Sequence, residues 1–280
     1  MLSAERVLLA GDTHADVGFL RCVLETAATL ELPVVVQLGD FGYWPDRREF
    51  LYRASLARAR YGVDLWFLDG NHEHHPALAA AAAAASPLGP EPRAPRELSP
   101  GLVYLPRGAR IEIAGRATLC VGGAASIDRA LRRVGRDWFP DERLDDTDIA
   151  SASATGPAEI LLSHDAPDGW AIPGLAPDHE LTPAWRAERP ACEEHRGRLG
   201  EVARAVRPRV VVHGHYHHAY ALEATTPWGP CRVYGLGGSD ERLWGARVEG
   251  RDGELAIDPV VSPAPQRAGR LIASASFDEE

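Results

Sequence analysis

Residues 34–44 read VVVQLGDFGYW, an apolar run broken only by Gln37 that ends abruptly on Gly39-Asp40. The run is rich in β-branched residues and too short for a helix, so it predicts a buried strand. A carboxylate at the end of such a strand makes sense if the strand tip faces a ligand, because open α/β sheets bind ligands beyond the carboxyl ends of their strands. The same punctuation recurs along the chain. RVLLA at 6–10 runs into GDTH at 11–14, DLWFL at 64–68 into DGNHE at 69–73, ILLS at 160–163 into His164-Asp165, and RVVVH at 209–213 into GHYH at 214–217.

Working outward, helical patterns occupy 17–31, 46–61, 76–86, 144–152 and 196–206, and further strands are expected at 110–114, 117–121, 219–224, 231–236, 244–249 and 254–258. Strands and helices alternate in the first half, and strands joined by short turns follow near the C-terminus. This order predicts an α/β protein with mixed sheets. Alanines 79–85 precede PLGPEPRAPRELSPG at 87–101, which predicts either a short helix stopping at Pro87 and then an irregular surface loop, or a flexible low-complexity insert. One domain is expected over 1–261, followed by a disordered tail at 262–280, SPAPQRAGRLIASASFDEE.

The 280 residues carry a formal net charge of −10, and every basic side chain except histidine is arginine. Such a chain lacks the broad basic surface that non-specific nucleic-acid binding uses, although a local anion site remains compatible with it. No apolar run reaches the roughly 18 residues of a membrane span. The N-terminus enters a strand without a leader pattern, so a cytoplasmic protein is expected, with no membrane partner. Cys22, Cys120, Cys192 and Cys231 form no C-x-x-C pair and read as separate reduced thiols.

The strand ends would gather Asp12, His14, Asp40, Asn71, His164, His215 and His217. Asp12 and His14, and likewise His215 and His217, are two apart, which on an extended chain directs both side chains the same way. Gly11, Gly39, Gly70 and Gly214 fit an edge where backbone and ligands approach closely. This set is too large for one ion and suits two divalent cations sharing a bridging carboxylate. Oxygen and imidazole donors without thiolate suit manganese first, with iron, zinc, nickel or cobalt as alternatives. Two such cations, two carboxylates and one hydroxide leave a net positive site that would draw a phosphate.

D-x-H, G-D, G-N-H-E, a lone histidine after a strand and G-H-x-H, in this order, resemble the calcineurin-like metallophosphoesterases over residues 12 to 217. The resemblance implies a four-layer α-β-β-α sandwich of two mixed β-sheets flanked by helices. It implies that Asp12, His14 and His217 hold a first metal, that Asn71, His164 and His215 hold a second, and that Asp40 bridges them. The catalytic residues it implies are Asp40 and His72, with His72 beside the substrate. The implied reaction is hydrolysis of a small phosphate ester, mono- or diester, by in-line attack of a metal-bridging hydroxide. Protein phosphatases and dinucleoside tetraphosphate hydrolases of this superfamily carry G-D-x-x-D-R-G at the second motif. Here residues 39–45 read GDFGYWP, with Tyr43 and Trp44 in place of Asp and Arg. QLGDFGYWP, DGNHEHH, YLPRG and GGAASIDR look closer to small bacterial and phage phosphoesterases. A nuclease acting on DNA or RNA is one alternative, and a non-catalytic scaffold of the same fold is another, although every ligand position is filled. The oligomeric state is left open.

Neighbouring residues receive plainer readings. His74 and His75 read as exposed loop residues, and His179 and His195 as solvated in a Pro- and charge-rich segment. His213 and His218 should point away from the metals. Asp69 and Asp165 read as turn residues or supports for the ligands. Arg107, Arg110, Arg129, Arg132 and Arg133 are candidate phosphate contacts, with a solvated surface role as the plainer reading of each. Trp44, Trp138 and Phe139 read as core or lid packing, with stacking on a leaving group as the alternative.

Overall fold

The computed structural model describes residues 1–239 and 241–261. The expected tail at 262–280 lies outside the described residues. Two sheets account for the strands. One runs β15 (Glu254–Val261), β14 (Leu243–Arg251), β2 (Arg6–Ala10), β3 (Val34–Gln37), β4 (Asp64–Phe67), β7 (Leu102–Tyr104), β6 (Arg96–Ser99) and β5 (Ser86–Pro87). The other runs β1 (Leu2–Ala4), β8 (Ala109–Ile113), β9 (Arg116–Val121), β10 (Ile160–Ser163), β11 (Val210–His213), β13 (Gly229–Gly235) and β12 (Tyr220–Thr226). Both are mixed: β2-β3-β4-β7 and β9-β10-β11-β13 are parallel, while β14 against β2 and β12 against β13 are antiparallel.

Register assigns each side chain to a layer. Leu9, Val36, Trp66 and Val103 lie side by side across the first sheet, and Cys120, Leu162 and Val212 across the second. These residues belong to one buried cluster, which makes it the inter-sheet core. Their neighbours one position along face outward. Leu8, Val35 and Leu65 pack under α1 (Val17–Thr29) and α2 (Arg48–Tyr61), and Leu119, Leu161 and Val211 pack under α5 (Pro183–Val206). Burial on both faces explains why these strands are uninterrupted apolar runs rather than alternating ones. The expected four-layer α-β-β-α sandwich is the fold found.

Three segments depart from expectation. The helix α3 (His75–Ala84) ends before Pro87, and the proline-rich stretch after it supplies β5 and β6 at the sheet edge rather than an irregular loop. Residues 2–4 form a strand of the second sheet, although β2 immediately after them belongs to the first. The helix expected at 196–206 begins at Pro183, where Thr182 caps it by accepting a hydrogen bond from Trp185 N. Pro190 lies inside it and removes a backbone donor, yet the apolar face of Leu199, Val202, Ala203 and Val206 holds the helix on the sheet. The helix α4 (Asp146–Ser153) begins on the side chain of Asp145, which accepts from Asp148 N. The four cysteines are free, and among the described residues no helix is long and apolar enough to cross a membrane.

Candidate metal centre

The carboxyl ends of β2, β3, β4, β10 and β11 open onto one edge, and all seven expected side chains meet there. Nε2 of His217 lies 3.0 Å from Asp12 Oδ2 and 2.9 Å from Nε2 of His14. Nε2 of His14 lies 3.7 Å from Asp40 Oδ2, and Nε2 of His164 lies 3.4 Å from Asp40 Oδ1. Asn71 Oδ1 is 3.1 Å from Nε2 of His164, and the ring of His215 stands edge-on to that of His164 at 5.0 Å. Asp40 therefore stands between an Asp12–His14–His217 group and an Asn71–His164–His215 group.

The backbone reaches this arrangement by sharp turns rather than by the pleat. His14, Asp40, His215 and His217 have φ of 48°, 55°, 71° and 49°. The expectation that residues two apart align because the chain is extended is thus corrected: each tip folds back through the left-handed region. Such residues cost about 1–3 kcal/mol each and collect at functional sites. Glycine is required where the tips touch. A Cβ on Gly70 would stand 2.1 Å from Asp40 Oδ1, and one on Gly39 would stand 2.2 Å from His164 Nδ1.

The donor atoms fit cations. Leu38 O is 2.7 Å from His164 Nδ1, so Nδ1 carries a proton, and Nε2, the nitrogen left for a cation once it is deprotonated, faces Asn71 Oδ1 and Asp40 Oδ1. Carboxylate oxygens of Asp12 and Asp40, the Asn71 amide oxygen and imidazole nitrogens of His14, His164 and His217 converge, each within 3.7 Å of another, as a donor set that positive charge would satisfy. Asp12–His14–His217, His14–Asp40–His72 and Asp12–Asp40–His164 each bring ligand atoms close enough for one ion. Burial works against ionising Asp12 and Asp40. The His217 hydrogen bond and nearby imidazoles nevertheless hold Asp12 down to about 2, and His72, His164 and His14 hold Asp40 well below the usual carboxylate range. Burial pushes His215 down to about 4, leaving a neutral imidazole available to a metal. Burial also opposes charging His164, but Asp40 and Asp12 overcome it and raise its pKa.

The supports are mostly residues that the sequence did not single out. Asn71 Nδ2 donates to Ser126 Oγ at 3.0 Å, and Ser126 is held by Glu142 through its hydroxyl at 2.5 Å and its amide at 2.8 Å. Glu73, the last residue of G-N-H-E, accepts from Gly42 N and Gly70 N and so ties the Asp40 and Asn71 turns together. Its place in the motif was the available signal. Asp165 accepts from Tyr216 OH at 2.5 Å and pairs with His195 at 2.7 Å. His195 is buried, not solvated, because α5 starts early enough to carry it inward. Likewise His75 is buried, 4.0 Å from Asp69.

Arg107 is also buried. It donates to Asp69, Asp148 and three carbonyls, which corrects its reading as a surface or phosphate-facing residue. Arg110 caps Gly156 and Pro157 carbonyls instead of facing the centre. His213 turns to the Tyr220 hydroxyl at 2.6 Å, away from the cluster, as expected. Trp138 and Phe139 are buried, and Trp44 donates its indole N–H to His72 O at 2.7 Å. His72 stands at the rim, its Nε2 3.9 Å from Asp40 Oδ2.

No curated protein matches the chain significantly. Among solved structures, the protein TT1561 of Thermus thermophilus is 13% identical with a TM-score of 0.52, covering 91% of this chain and 99% of that one. A dimetal phosphatase from Danio rerio is 13% identical with a TM-score of 0.55, covering 92% of this chain and 96% of that one. At such identity these likenesses show the shared fold. The profile of the calcineurin-like phosphoesterases matches residues 5–219, a span that contains all five motifs. The chain belongs to the calcineurin-like phosphoesterase family.

Proposed function

We propose that this protein hydrolyses small phosphate esters with two divalent cations, manganese foremost. Asp12, His14 and His217 would hold one cation, Asn71, His164 and His215 the other, and Asp40 both. The observation that carries the reading is the position of Asp40, with one carboxylate oxygen turned to His14 and the other to His164. When bound, the cations supply positive charge to the phosphoryl oxygens and make water acidic enough to react near neutral pH.

The chain's own residues orient and select. Asp12 Oδ1 accepts from His215 N at 3.0 Å and Asp40 Oδ1 from His72 N at 2.8 Å, so each carboxylate is locked in one rotamer. Burial, reinforced by Arg132 and His14, brings His72 down to about 3 although Asp40 pulls the other way. At the rim His72 would line the approach of a phosphoryl group, and its ring lies against Nη2 of Arg132. Trp44 fixes the backbone of His72 and hence the reach of its ring.

The test is a panel of an aryl phosphomonoester, an aryl phosphodiester and single-stranded DNA, on protein stripped with chelator and refilled with manganese. We expect turnover of a small ester and little of DNA. Asp40→Asn should lose on the order of 10²–10³-fold in kcat while the fold persists. Near-normal turnover with tight metal in that variant would refute the bridging role.

A further inference from the structure

Trp44 occupies the position where relatives with G-D-x-x-D-R-G carry an arginine, yet a guanidinium reaches the centre from elsewhere. Nη2 of Arg132 lies 2.9 Å from Nδ1 and 2.5 Å from Nε2 of His72, a residue 60 positions away. Asp128 Oδ2 accepts from Arg132 Nε at 2.9 Å and from Nη2 at 2.8 Å. Among the described residues, Nη1 makes no hydrogen bond, although the Arg132 side chain is only 9% exposed. The segment carrying Arg132 is fixed at both ends. Ser126 is bound to Glu142 before it, and Trp138 and Phe139 are buried after it. Within it, the Arg129 guanidinium stacks 4.2 Å from the centre of the Trp138 ring.

Asp128 balances the charge of Arg132 on one edge, but the Nη1 edge of this nearly buried guanidinium stands beside a site built for two cations, an arrangement that an anion between them would favour. The anion's size and charge follow from what Arg132 has left to give. Asp128 takes one edge of the fork and leaves the two N–H donors of Nη1. A phosphomonoester offers three non-bridging oxygens and close to two negative charges at neutral pH, its second pKa being about 6. A diester offers two oxygens and one charge. The extra oxygen and the extra charge are what a guanidinium set apart from the metal ligands would recognise.

We infer that Arg132, positioned by Asp128, binds the phosphoryl group of the substrate and selects phosphomonoesters over phosphodiesters. The inference rests on reading the site as a phosphoesterase. The test uses manganese-loaded full-length protein with an aryl phosphomonoester and a bis-aryl phosphodiester, together with calorimetric binding of inorganic phosphate. Arg132→Gln should lower kcat/KM for the monoester by about 10²–10³-fold. Diester turnover should fall less than about tenfold, and phosphate affinity should weaken by at least about tenfold, a step worth about 1.4 kcal/mol. Arg132→Lys keeps the charge without the fork and should recover part of both losses, while Asp128→Asn should shift both measurements in the direction of Arg132→Gln. Equal losses on the two esters, or unchanged monoester kinetics and phosphate affinity, would overturn the inference alone. If the unmodified protein cleaved neither ester, the phosphoesterase reading would fall and this inference with it.

Discussion

Asn71 presents its oxygen to the centre because Ser126 engages its nitrogen. An amide is nearly symmetric in shape, so the choice between oxygen and nitrogen rests on what surrounds it, here the Glu142–Ser126–Asn71 relay. Ser126→Ala would free the amide to rotate and present N–H₂ to the cations. We expect a 10–100-fold loss of affinity for the second metal, the usual effect of removing a group that orients a ligand. Titration of stripped protein with manganese by calorimetry would measure it, and an unchanged isotherm would count against the relay. The histidines follow the same principle. Leu38 O selects the tautomer of His164, so the backbone of one motif sets the lone pair of another.

Beside the centre lies the segment 126–143, which meets Asn71 through Ser126 and His72 through Arg132 and has Arg107 among its anchors. Arg107 follows β7 and joins Asp69, at the end of β4, to Asp148 in α4 and to the carbonyls of Asp141, Glu142 and Arg143. Arg107→Met would leave the buried Asp69 without its arginine and Asp148 with Arg93 alone, and should cost about 3–5 kcal/mol. Chemical denaturation would measure that loss, and a loss under about 1 kcal/mol would mean that the segment is anchored elsewhere. Glu142 gives the same segment a pH dependence. Burial raises its pKa above 4.5, although its Ser126 hydrogen bonds pull the other way. A raised folded value means that the folded state holds the proton more tightly. Its contribution is therefore complete below pH 4.5 and is lost as pH rises through the folded value. The Gln of Glu142→Gln cannot ionise, so the stability of the unmodified protein relative to this variant should decline as pH rises above 4.5. Parallel denaturation midpoints across that range would disprove it.

At the scale of the whole molecule, core and centre are separate. The inter-sheet core and the two helix-facing cores consist of aliphatic and aromatic side chains remote in kind from the imidazoles and carboxylates at the strand tips. Chelator-stripped protein should therefore stay folded. Metal should add stability by binding only the folded chain, about 2.7 kcal/mol at a free concentration 100 times Kd. For a domain of this size that is a rise in Tm of roughly 5–10 °C, readable by scanning calorimetry. Loss of the cooperative transition on stripping would show that the cations are structural instead.

Legibility in the sequence followed burial on two faces and repetition at strand ends. The runs RVLLA, VVVQL, DLWFL and ILLS announced central strands because strands packed on both sides must be apolar throughout, and the tips announced their ligands because each motif is local. Edge strands such as β5 and β6 carry no such signal, being half-exposed and interrupted by proline. His195 and Arg107 read as surface residues because a buried charged or polar side chain is defined by partners that lie far along the chain. By itself the sequence determined an α/β protein with mixed sheets and the strand-end motifs that carry the family resemblance, since both depend on local patterns of polarity, and the resemblance in turn implied the sandwich. Only the tertiary structure decided the left-handed turns, the Ser126 relay and the approach of Arg132 to His72, because a hydrogen bond between distant segments leaves no periodic trace in either of them.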